Sequence, residues 1–294
     1  MRRSKRKTVS VPGGVVTYCS AGEEEAGDPL ILVHGGPGGS YDAFEPFLLL
    51  AGARPVICYD QLGSFRSPAA VDESLLSPER FAQELHAVRT ALAPGRVHLF
   101  GHSFGAMVAL AYIEQFGQDE IASLVLAGPL ISSPRWEEDQ RRLLAGMPPD
   151  TRAVIEMHES CDVYDSPAYQ EAMMEYYRRH VCRMDPWPDC LNRMFERLAV
   201  PIYLAMWGPS EFTVRGSLRS VDMRHVLPTL RLPVLYTCGE FDEAPPISVR
   251  DFADMTDGAV VKVFAGASHM HFLEAEDEYL AMMEAFLAGT EEGR

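Results

Sequence analysis

The feature that most constrains the fold of this chain is the sequence Gly-His-Ser-Phe-Gly at residues 101–105. It follows a short apolar run, residues 97–100, and precedes a largely apolar run of helical length, residues 106–116. In this context Gly-x-Ser-x-Gly is typical of a sharp strand-to-helix turn that presents a serine hydroxyl above a sheet. Side chains at positions 101 and 105 would press on the helix and the neighbouring strand, so glycine suits both. The sequence therefore predicts that Ser103 is a nucleophile.

Short apolar runs on either side of this turn predict a central sheet. Each run is continuous rather than alternating, which is typical of strands buried on both faces. Helical patterns separate the runs, as in the segment that begins with Ser77 as N-cap and Pro78 at the first helical position. This alternation predicts an α/β fold with a mostly parallel sheet covered on both faces. The strands are predicted at residues 30–33, 55–59, 97–100, 121–127, 233–238 and 260–264, preceded by a β-hairpin of residues 9–11 and 15–19.

The alternation stops between residues 130 and 227, where the pattern is helical, charged and interrupted by prolines. We therefore predict a helical cap at residues 130–227, inserted into an α/β core formed by residues 1–129 and 228–294. A stripe at helical spacing within the cap is more often the interior of a helical layer than the wall of a ligand site. This stripe consists of Tyr169, Met173, Tyr176 and Tyr177.

The composition excludes several classes of function. A formal charge of −16 over 294 residues opposes nucleic-acid binding, which requires a basic surface. No apolar run approaches the ~18 residues of a membrane-spanning helix, so no membrane partner is expected. The basic residues 1–7 are not followed by the apolar segment of a secretory signal, and a frayed tail is predicted there. The six cysteines form neither CxxC pairs nor a dense scaffold, which favours reduced thiols in a cytoplasmic protein.

A serine nucleophile needs a base and a group that orients the base. In parallel sheets such residues collect in the loops at the carboxyl ends of the strands. Asp242 follows the strand at residues 233–238, and His269 follows the strand at residues 260–264. The resulting order of Ser103, Asp242 and His269 is the one expected of an α/β-hydrolase. We predict that Ser103 attacks, His269 takes and returns the proton, and Asp242 fixes the tautomer of the imidazole.

A glycine-rich loop, His-Gly-Gly-Pro-Gly-Gly at residues 34–39, directly follows a predicted buried strand. Glycines in this place free backbone N–H groups to point at a developing oxyanion. We predict an oxyanion hole formed by the N–H of Phe104 and one N–H from Gly35 or Gly36. His34 is expected to support the loop rather than to react.

Two other histidines compete with His269 for the role of base. His271 lies two residues further on, but the small residues at 266–268 favour a loop that turns the next side chain into the site. His102 adjoins Ser103, yet a sharp turn points consecutive side chains apart, which favours a packing role. We therefore prefer His269.

Glu240 and Glu243 lie in the same loop as Asp242 and compete with it as the orienting acid. Position in the loop leaves that choice open. No cluster of histidines and carboxylates has the spacing of metal ligands, so neither a metal nor an organic cofactor is predicted.

Six segments, taken together and in order over nearly the whole chain, resemble the prolyl aminopeptidase (proline iminopeptidase) family, including its tricorn-interacting-factor type. The Gly-x-Ser-x-Gly segment alone indicates only an α/β-hydrolase. The Glu-Phe pair at 211–212 in the predicted cap and the Asp-Glu pair at 242–243 are much more specific to this family. The segments are His-Gly-Gly-Pro-Gly at 34–38, Asp-Gln-Leu-Gly at 60–63, Gly-His-Ser-Phe-Gly at 101–105, Trp-Gly-Pro-Ser-Glu-Phe at 207–212, Cys-Gly-Glu-Phe-Asp-Glu at 238–243 and Ser-His-Met at 268–270.

The resemblance implies a serine hydrolase that releases an unblocked N-terminal residue, proline or another small apolar one, from short peptides. It also implies that Glu211 from the cap and Glu243 from the core bind the free ammonium of the substrate. An amino-acid amidase or esterase with the same triad is the close alternative, and acyl transfer to another acceptor needs the same residues. A non-catalytic ligand receptor of the same fold is the alternative from another class, against which the complete set of Ser103, Asp242 and His269 argues.

Three positions depart from the pattern of the family. Phe65 stands where glycine is usual, so we expect an altered loop close to the oxyanion residues. Phe104 replaces a common tryptophan and keeps an aromatic ring beside the nucleophile. Pro245 replaces a frequent threonine. These changes leave the chemistry intact and bear on the identity of the preferred N-terminal residue.

Overall fold

The computed structural model of the chain describes residues 6–69, 72 and 76–292. Most of the tail predicted at residues 1–7 lies outside these ranges. The prediction is wrong at its end, because Lys7 belongs to the first strand and pairs with Tyr18. The ammonium of Lys7 lies 2.6 Å from the carboxylate of Glu23.

One sheet runs through the described part of the molecule. Its strands are β1 (Arg6–Val11), β2 (Gly14–Ala21), β3 (Leu30–Val33), β4 (Val56–Tyr59), β5 (Val97–His102), β6 (Ile121–Ala127), β7 (Val234–Gly239) and β8 (Val260–Phe264). Among the described residues the sheet has eight strands, in the order β1-β2-β4-β3-β5-β6-β7-β8. β2 pairs antiparallel with β1 and β4, and the remaining pairs are parallel. The predicted hairpin and mostly parallel sheet are confirmed.

Strands β3 to β7 are buried along their whole length, as their continuous apolar runs predict. Successive side chains point to opposite faces and join two separate apolar clusters. Ile31 and Val33 pack into the cluster on one face, and Leu30 and Leu32 pack into the cluster on the other.

Helices cover both of these clusters. They are α1 (Pro78–Leu92), α2 (Phe104–Phe116), α3 (Ser133–Ala145), α4 (Pro149–Ser160), α5 (Pro167–His180), α6 (Asp189–Glu196), α7 (Val200–Met206), α8 (Pro246–Asp254), α9 (His271–Glu274) and α10 (Glu276–Glu292). A 3₁₀-helical stretch spans Tyr41–Gly52, and another spans Arg224–Thr229. The predicted start of α1 is confirmed, because the side chain of Ser77 accepts the N–H of Arg80.

The segment between β6 and β7 is described throughout and contains helices α3 to α7. The predicted stripe divides into two parts. Tyr169, Met173 and Tyr176 pack in an apolar cluster inside this segment. Tyr177 packs against the same cluster and also lines the cavity of the candidate site, so the interior assignment holds only in part for this residue.

Among the described residues, the helices are all too short or too polar to cross a lipid bilayer.

Candidate active site

The turn between β5 and α2 holds Ser103 in an uncommon backbone conformation, with φ of 54° and ψ of −121°. A residue other than glycine in this region is strained by about 1 to 3 kcal/mol. Close packing explains the two flanking glycines. A Cβ on Gly101 would lie 2.5 Å from the carbonyl oxygen of Gly105, and a Cβ on Gly105 would lie 2.1 Å from that of Val33. The predicted sharp turn is therefore present and is fixed by these contacts.

Asp242 and His269 come together at the carboxyl ends of β7 and β8. The Nδ1 of His269 donates to Oδ1 of Asp242 at 2.7 Å. Asp242 is fully buried and also accepts the backbone N–H groups of Gly239 at 3.1 Å and Ala244 at 2.8 Å. Burial opposes ionisation of this carboxyl, but the adjacent imidazole of His269 outweighs it, so the pKa of Asp242 lies well below its usual value. Asp242 is thus a charged acceptor that orients His269.

The geometry distinguishes the three candidates for the role of general base, His102, His269 and His271. His269 and Ser103 line the same cavity. His271 is fully buried, and its Nε2 contacts the hydroxyl of Thr237 at 2.9 Å. The Nε2 of His102 lies 3.3 Å from the backbone oxygen of His269, and burial lowers the pKa of His102 well below its usual value. The arrangement favours His269 as the base, as predicted, with a neutral His102 packed beneath it.

The three acids of the β7–α8 loop also differ in their surroundings. Glu240 is exposed, and its carboxylate accepts the N–H of Gly266 at 2.9 Å. Glu243 lines the cavity but does not contact the imidazole of His269 through any described hydrogen bond. Asp242 makes that contact, which favours it as the orienting acid.

The glycine-rich loop after β3 lies against Ser103. A Cβ on Gly35 would lie 3.3 Å from the Oγ of Ser103, and both Gly35 and Gly36 line the cavity. Phe104 is the first residue of α2, so its N–H is one of the helix donors without a partner inside the helix. These positions are compatible with the predicted oxyanion hole.

His34 has the supporting role expected of it. Its Nε2 accepts the backbone N–H of Gln61 at 3.0 Å, and its backbone oxygen accepts the side-chain amide of Gln61 at 2.7 Å. Burial lowers the pKa of His34, so the ring remains neutral and bridges the two loops.

Two further carboxyls, those of Glu211 and Glu243, face the same cavity as Ser103. The hydroxyl of Tyr203 donates to Oε1 of Glu211 at 2.6 Å. The Oε1 of Glu243 is buried and has no hydrogen-bond partner among the residues that the structure describes. Burial raises the pKa of both groups, and the charges of Glu211 and Asp242 raise that of Glu243 further. A buried carboxyl without a partner costs free energy, which is typical of a group that meets a ligand.

The cavity itself is small and largely apolar. It encloses about 190 Å³, less than the about 300 to 1,000 Å³ typical of sites for drug-sized ligands. Aromatic and aliphatic side chains form most of its wall. They are Leu130, Trp136, Tyr177, Val181, Met194, Phe195, Leu198, Tyr203, Trp207 and Met270.

The side chain of Phe65 lies outside the wall of this cavity. Its side chain is 54% exposed and is not part of the cavity wall. The guanidinium of Arg197 lies 5.0 Å from the centre of its ring, and that of Arg66 lies 5.6 Å away. The ring thus turns outward to two arginines, and the expectation of an altered loop beside the oxyanion residues stays a prediction.

Sequence reasoning missed Tyr203 and Trp136, both from the segment between β6 and β7. The ring of Trp136 packs edge-on to His269 at 5.9 Å, and Tyr203 binds Glu211. Neither residue belongs to a motif. The pairing of Tyr203 with Glu211, eight residues apart, arises because the chain turns back after α7, which no local pattern reveals.

A cluster of possible metal ligands also escaped the sequence analysis. Ligand atoms of Asp28, His98 and Glu291 lie within 4.8 Å of one another, although the residues are far apart in the chain. The guanidinium of Arg54 forms an ion pair with Glu291 in this cluster. A cation of the protein thus already contacts one of the carboxylates there.

A strained serine turn between glycines, a buried Asp–His pair and a glycine loop at the carboxyl ends of a mostly parallel sheet define an α/β-hydrolase. In agreement, the family model described as alpha/beta hydrolase fold matches residues 28–276. A proline iminopeptidase of Heyndrickxia coagulans is 37% identical over 280 residues, which are 95% of this chain and 97% of that protein. Within the α/β-hydrolases, the chain belongs to the proline iminopeptidase family.

Solved structures agree with this assignment. The crystal structure of proline iminopeptidase from Mycobacterium smegmatis is similar with a TM-score of 0.91 and 32% identity, covering 98% of this chain and 99% of that one. The crystal structure of VinJ is similar with a TM-score of 0.92 and 30% identity, covering 97% and 99%. The similarity extends over the segment between β6 and β7 as well as over the sheet.

Proposed function

We propose that this protein is an aminopeptidase that releases an N-terminal proline or another small apolar residue from short peptides. The observation that carries the proposal is the buried carboxyl of Glu243, which lacks a partner beside Glu211 in the cavity of Ser103. A substrate ammonium is the complementary group, because charge-assisted hydrogen bonds to carboxylates are strong in a dry pocket. The relatives named proline iminopeptidase support the same substrate class.

The proposed mechanism begins with the ammonium held between Glu211 and Glu243, which brings the first carbonyl carbon to Ser103. His269 takes the proton of Ser103 as the hydroxyl attacks, and Asp242 stabilises the resulting imidazolium. His269 then gives this proton to the departing amine, leaving an acyl-enzyme that water hydrolyses.

Backbone donors stabilise the negative oxygen that forms at each tetrahedral stage. We assign this role to the N–H of Phe104 and to one N–H from Gly35 or Gly36. Loss of one such donor typically costs about 3 kcal/mol of transition-state stabilisation.

The proposed ammonium site explains why the enzyme would release a single residue from the N-terminus. We propose that residues 130–227 act as a cap on a core of residues 1–129 and 228–294. Glu211 belongs to the cap and Glu243 to the core, so the pair fixes one distance from the ammonium to Ser103. A cavity of about 190 Å³ suits one small apolar residue and excludes an N-terminal extension.

We place the enzyme in the cytoplasm. Its six cysteines form no disulfide in the described structure, and this use of cysteine suits a reducing compartment.

The proposal is tested by kcat/KM on the p-nitroanilides of proline, alanine and phenylalanine, each with a free and an acetylated amine. Turnover should be confined to the free amines, led by proline, and abolished by Ser103→Ala. Equal rates on acetylated substrates would contradict the ammonium site and favour a general amidase or esterase. The absence of turnover on all six would contradict the proposed peptidase activity.

A further inference from the structure

The C-terminal end of α5 contacts the loop that carries His269. The helix ends at His180, and the last carbonyl groups of a helix have no partner inside it. The backbone oxygen of His180 accepts the N–H of His269 at 3.0 Å, and that of Val181 accepts the N–H of Met270 at 2.8 Å. The end of this helix therefore binds the backbone of the loop after β8 at His269 itself.

The ring of His180 contacts a second loop, the one that carries Asp242. Its Nδ1 donates to the backbone oxygen of Phe241 at 2.8 Å. This oxygen belongs to the planar peptide group that joins Phe241 to Asp242, so the contact restrains the backbone from which the carboxyl of Asp242 extends. The ring lies 4.8 Å from that of the fully buried Tyr176. Burial lowers the pKa of His180, which favours a neutral ring with one N–H to donate.

We propose that His180 is a positioning residue, which sets Asp242 and His269 relative to each other. Its carbonyl oxygen holds the peptide group that precedes His269, and its ring holds the peptide group that precedes Asp242. The contact of 2.7 Å between the two side chains depends on the placement of both backbones. The inference rests on the proposed function, because His180 acts through the residues assigned there as base and orienting acid. Displacing such groups by about 1 Å can cost about 100-fold in rate.

Other contacts anchor the loop after β8 independently of the ring of His180. The Nε of Arg183 donates to the backbone oxygen of Gly266 at 3.0 Å, and its backbone N–H donates to Glu274 at 2.7 Å. Glu274 also accepts the backbone N–H and the hydroxyl of Ser268, at 2.7 and 2.8 Å. These contacts do not involve an imidazole, so a substitution of His180 should leave the loop folded and change only its alignment with Asp242.

The test removes the ring donor and leaves the backbone contact in place. His180→Leu lacks the donor, whereas His180→Asn carries an amide nitrogen at the same distance along the side chain as Nδ1. The rate constant for labelling of Ser103 by a fluorophosphonate should fall about 10-fold in His180→Leu and stay within about 3-fold of the wild type in His180→Asn. The kcat for prolyl-p-nitroanilide should fall in parallel, with KM unchanged.

His225→Leu is the matched control. It also loses an Nδ1 donor to a backbone oxygen, that of Asp222 at 3.1 Å, but His225 lies outside the cavity wall. Its labelling rate should equal that of the wild type.

The final extent of labelling, measured by mass spectrometry, separates positioning from folding. In His180→Leu it should still reach one phosphonyl group per chain, although more slowly. His180→Phe keeps a ring against Tyr176 without the donor and decides the matter if His180→Leu does not fold.

Three results would overturn the inference and leave the proposed function intact. They are wild-type rates in the variants that lack the donor, equally low rates in His180→Leu and His180→Asn, and incomplete labelling in both His180→Leu and His180→Phe. Failure to label Ser103 in the wild type would instead overturn the proposed function and the inference with it.

Discussion

Asp242 and Glu243 are neighbours in one loop, and both are nearly inaccessible, with exposed fractions of 0% and 4%. Their surroundings are nevertheless opposite. Asp242 accepts two backbone N–H groups and the imidazole of His269, whereas Oε1 of Glu243 has no partner among the described residues. Accordingly, the pKa of Asp242 is lowered and that of Glu243 is raised. Partners rather than depth decide the charge of a buried carboxyl.

The two residues have different tasks in the mechanism that we propose. Asp242 already has its hydrogen-bond partners in the free protein and would act on His269 whatever the substrate is. Oε1 of Glu243 has no partner among the described residues, so its proposed contribution depends on whether the substrate carries a cation. Variants at the two positions should therefore differ in which substrates they affect.

The largest effect is expected for Asp242→Asn. An amide at this position cannot hold His269 in the required tautomer or stabilise an imidazolium, so kcat should fall by about 10⁴-fold. The loss should be the same for prolyl-p-nitroanilide and for p-nitrophenyl acetate, which lacks an ammonium. Steady-state kinetics on both compounds measure it, and a loss confined to the anilide would show that Asp242 belongs to substrate binding instead.

Glu243→Gln should show the opposite selectivity. Removing the charge should lower kcat/KM on prolyl-p-nitroanilide by about 100-fold, because a hydrogen bond to a charged group contributes about 1.5 to 3 kcal/mol. Hydrolysis of p-nitrophenyl acetate should change less than about 3-fold. Glu240→Gln is the matched control, since Glu240 is an exposed acid of the same loop and should affect neither substrate. Equal losses on both compounds would remove the distinction between Asp242 and Glu243.

Tyr203→Phe should sharpen the comparison on the side of Glu211. The variant keeps the ring in the wall and deletes only the hydroxyl that donates to Glu211. We expect KM for prolyl-p-nitroanilide to rise by about 5-fold with little change in kcat, since one donor to a carboxylate is lost. An unchanged KM would mean that Glu211 does not need this hydroxyl to bind the substrate.

The smallest effect concerns stability and pH. The pKa of Glu243 is raised in the folded protein. The protonated carboxyl therefore contributes its full share of the free energy of unfolding below the pKa of the unfolded chain, about 4.3. This share is lost as the pH rises towards the pKa of the folded state. The free energy of unfolding of Glu243→Gln relative to that of the wild type should therefore increase by about 1 kcal/mol from pH 5 to pH 8. Urea unfolding at the two pH values measures this gain.

Asp242 shifts stability in the other direction. Its lowered pKa gives a contribution that is present above about 3.9 and is lost as pH falls. Asp242→Asn should therefore approach the wild type in stability only in acid. A gain for Glu243→Gln that is independent of pH would contradict the raised pKa of Glu243.

Much of the fold and part of the site were predictable, because both depend on local patterns. Continuous apolar runs predict β3 to β7, and the glycines around Ser103 predict the turn that carries it. The position of the loops after β7 and β8 then points to the acids at 240, 242 and 243 and to His269. These inferences need only the period of the sequence and the general geometry of parallel sheets.

The rest depends on how distant parts of the chain meet. Three acids share the β7–α8 loop, and only the contact with the imidazole of His269 separates Asp242 from Glu240 and Glu243. Tyr203 and Tyr177 reach the cavity through the packing of α5 and α7, which helical periodicity does not specify. Phe65 likewise turns outward, towards Arg197, which lies far from it in the sequence.

The most direct test of the account separates binding from chemistry. In Ser103→Ala, calorimetric titration should show that L-prolinamide binds and that N-acetyl-L-prolinamide does not. Adding Glu243→Gln to this background should weaken the binding of L-prolinamide by about 100-fold, the equivalent of one charge-assisted contact. Equal dissociation constants for the two compounds, or binding of L-prolinamide that is unaffected by Glu243→Gln, would contradict the claim that this buried carboxyl receives the ammonium of the substrate.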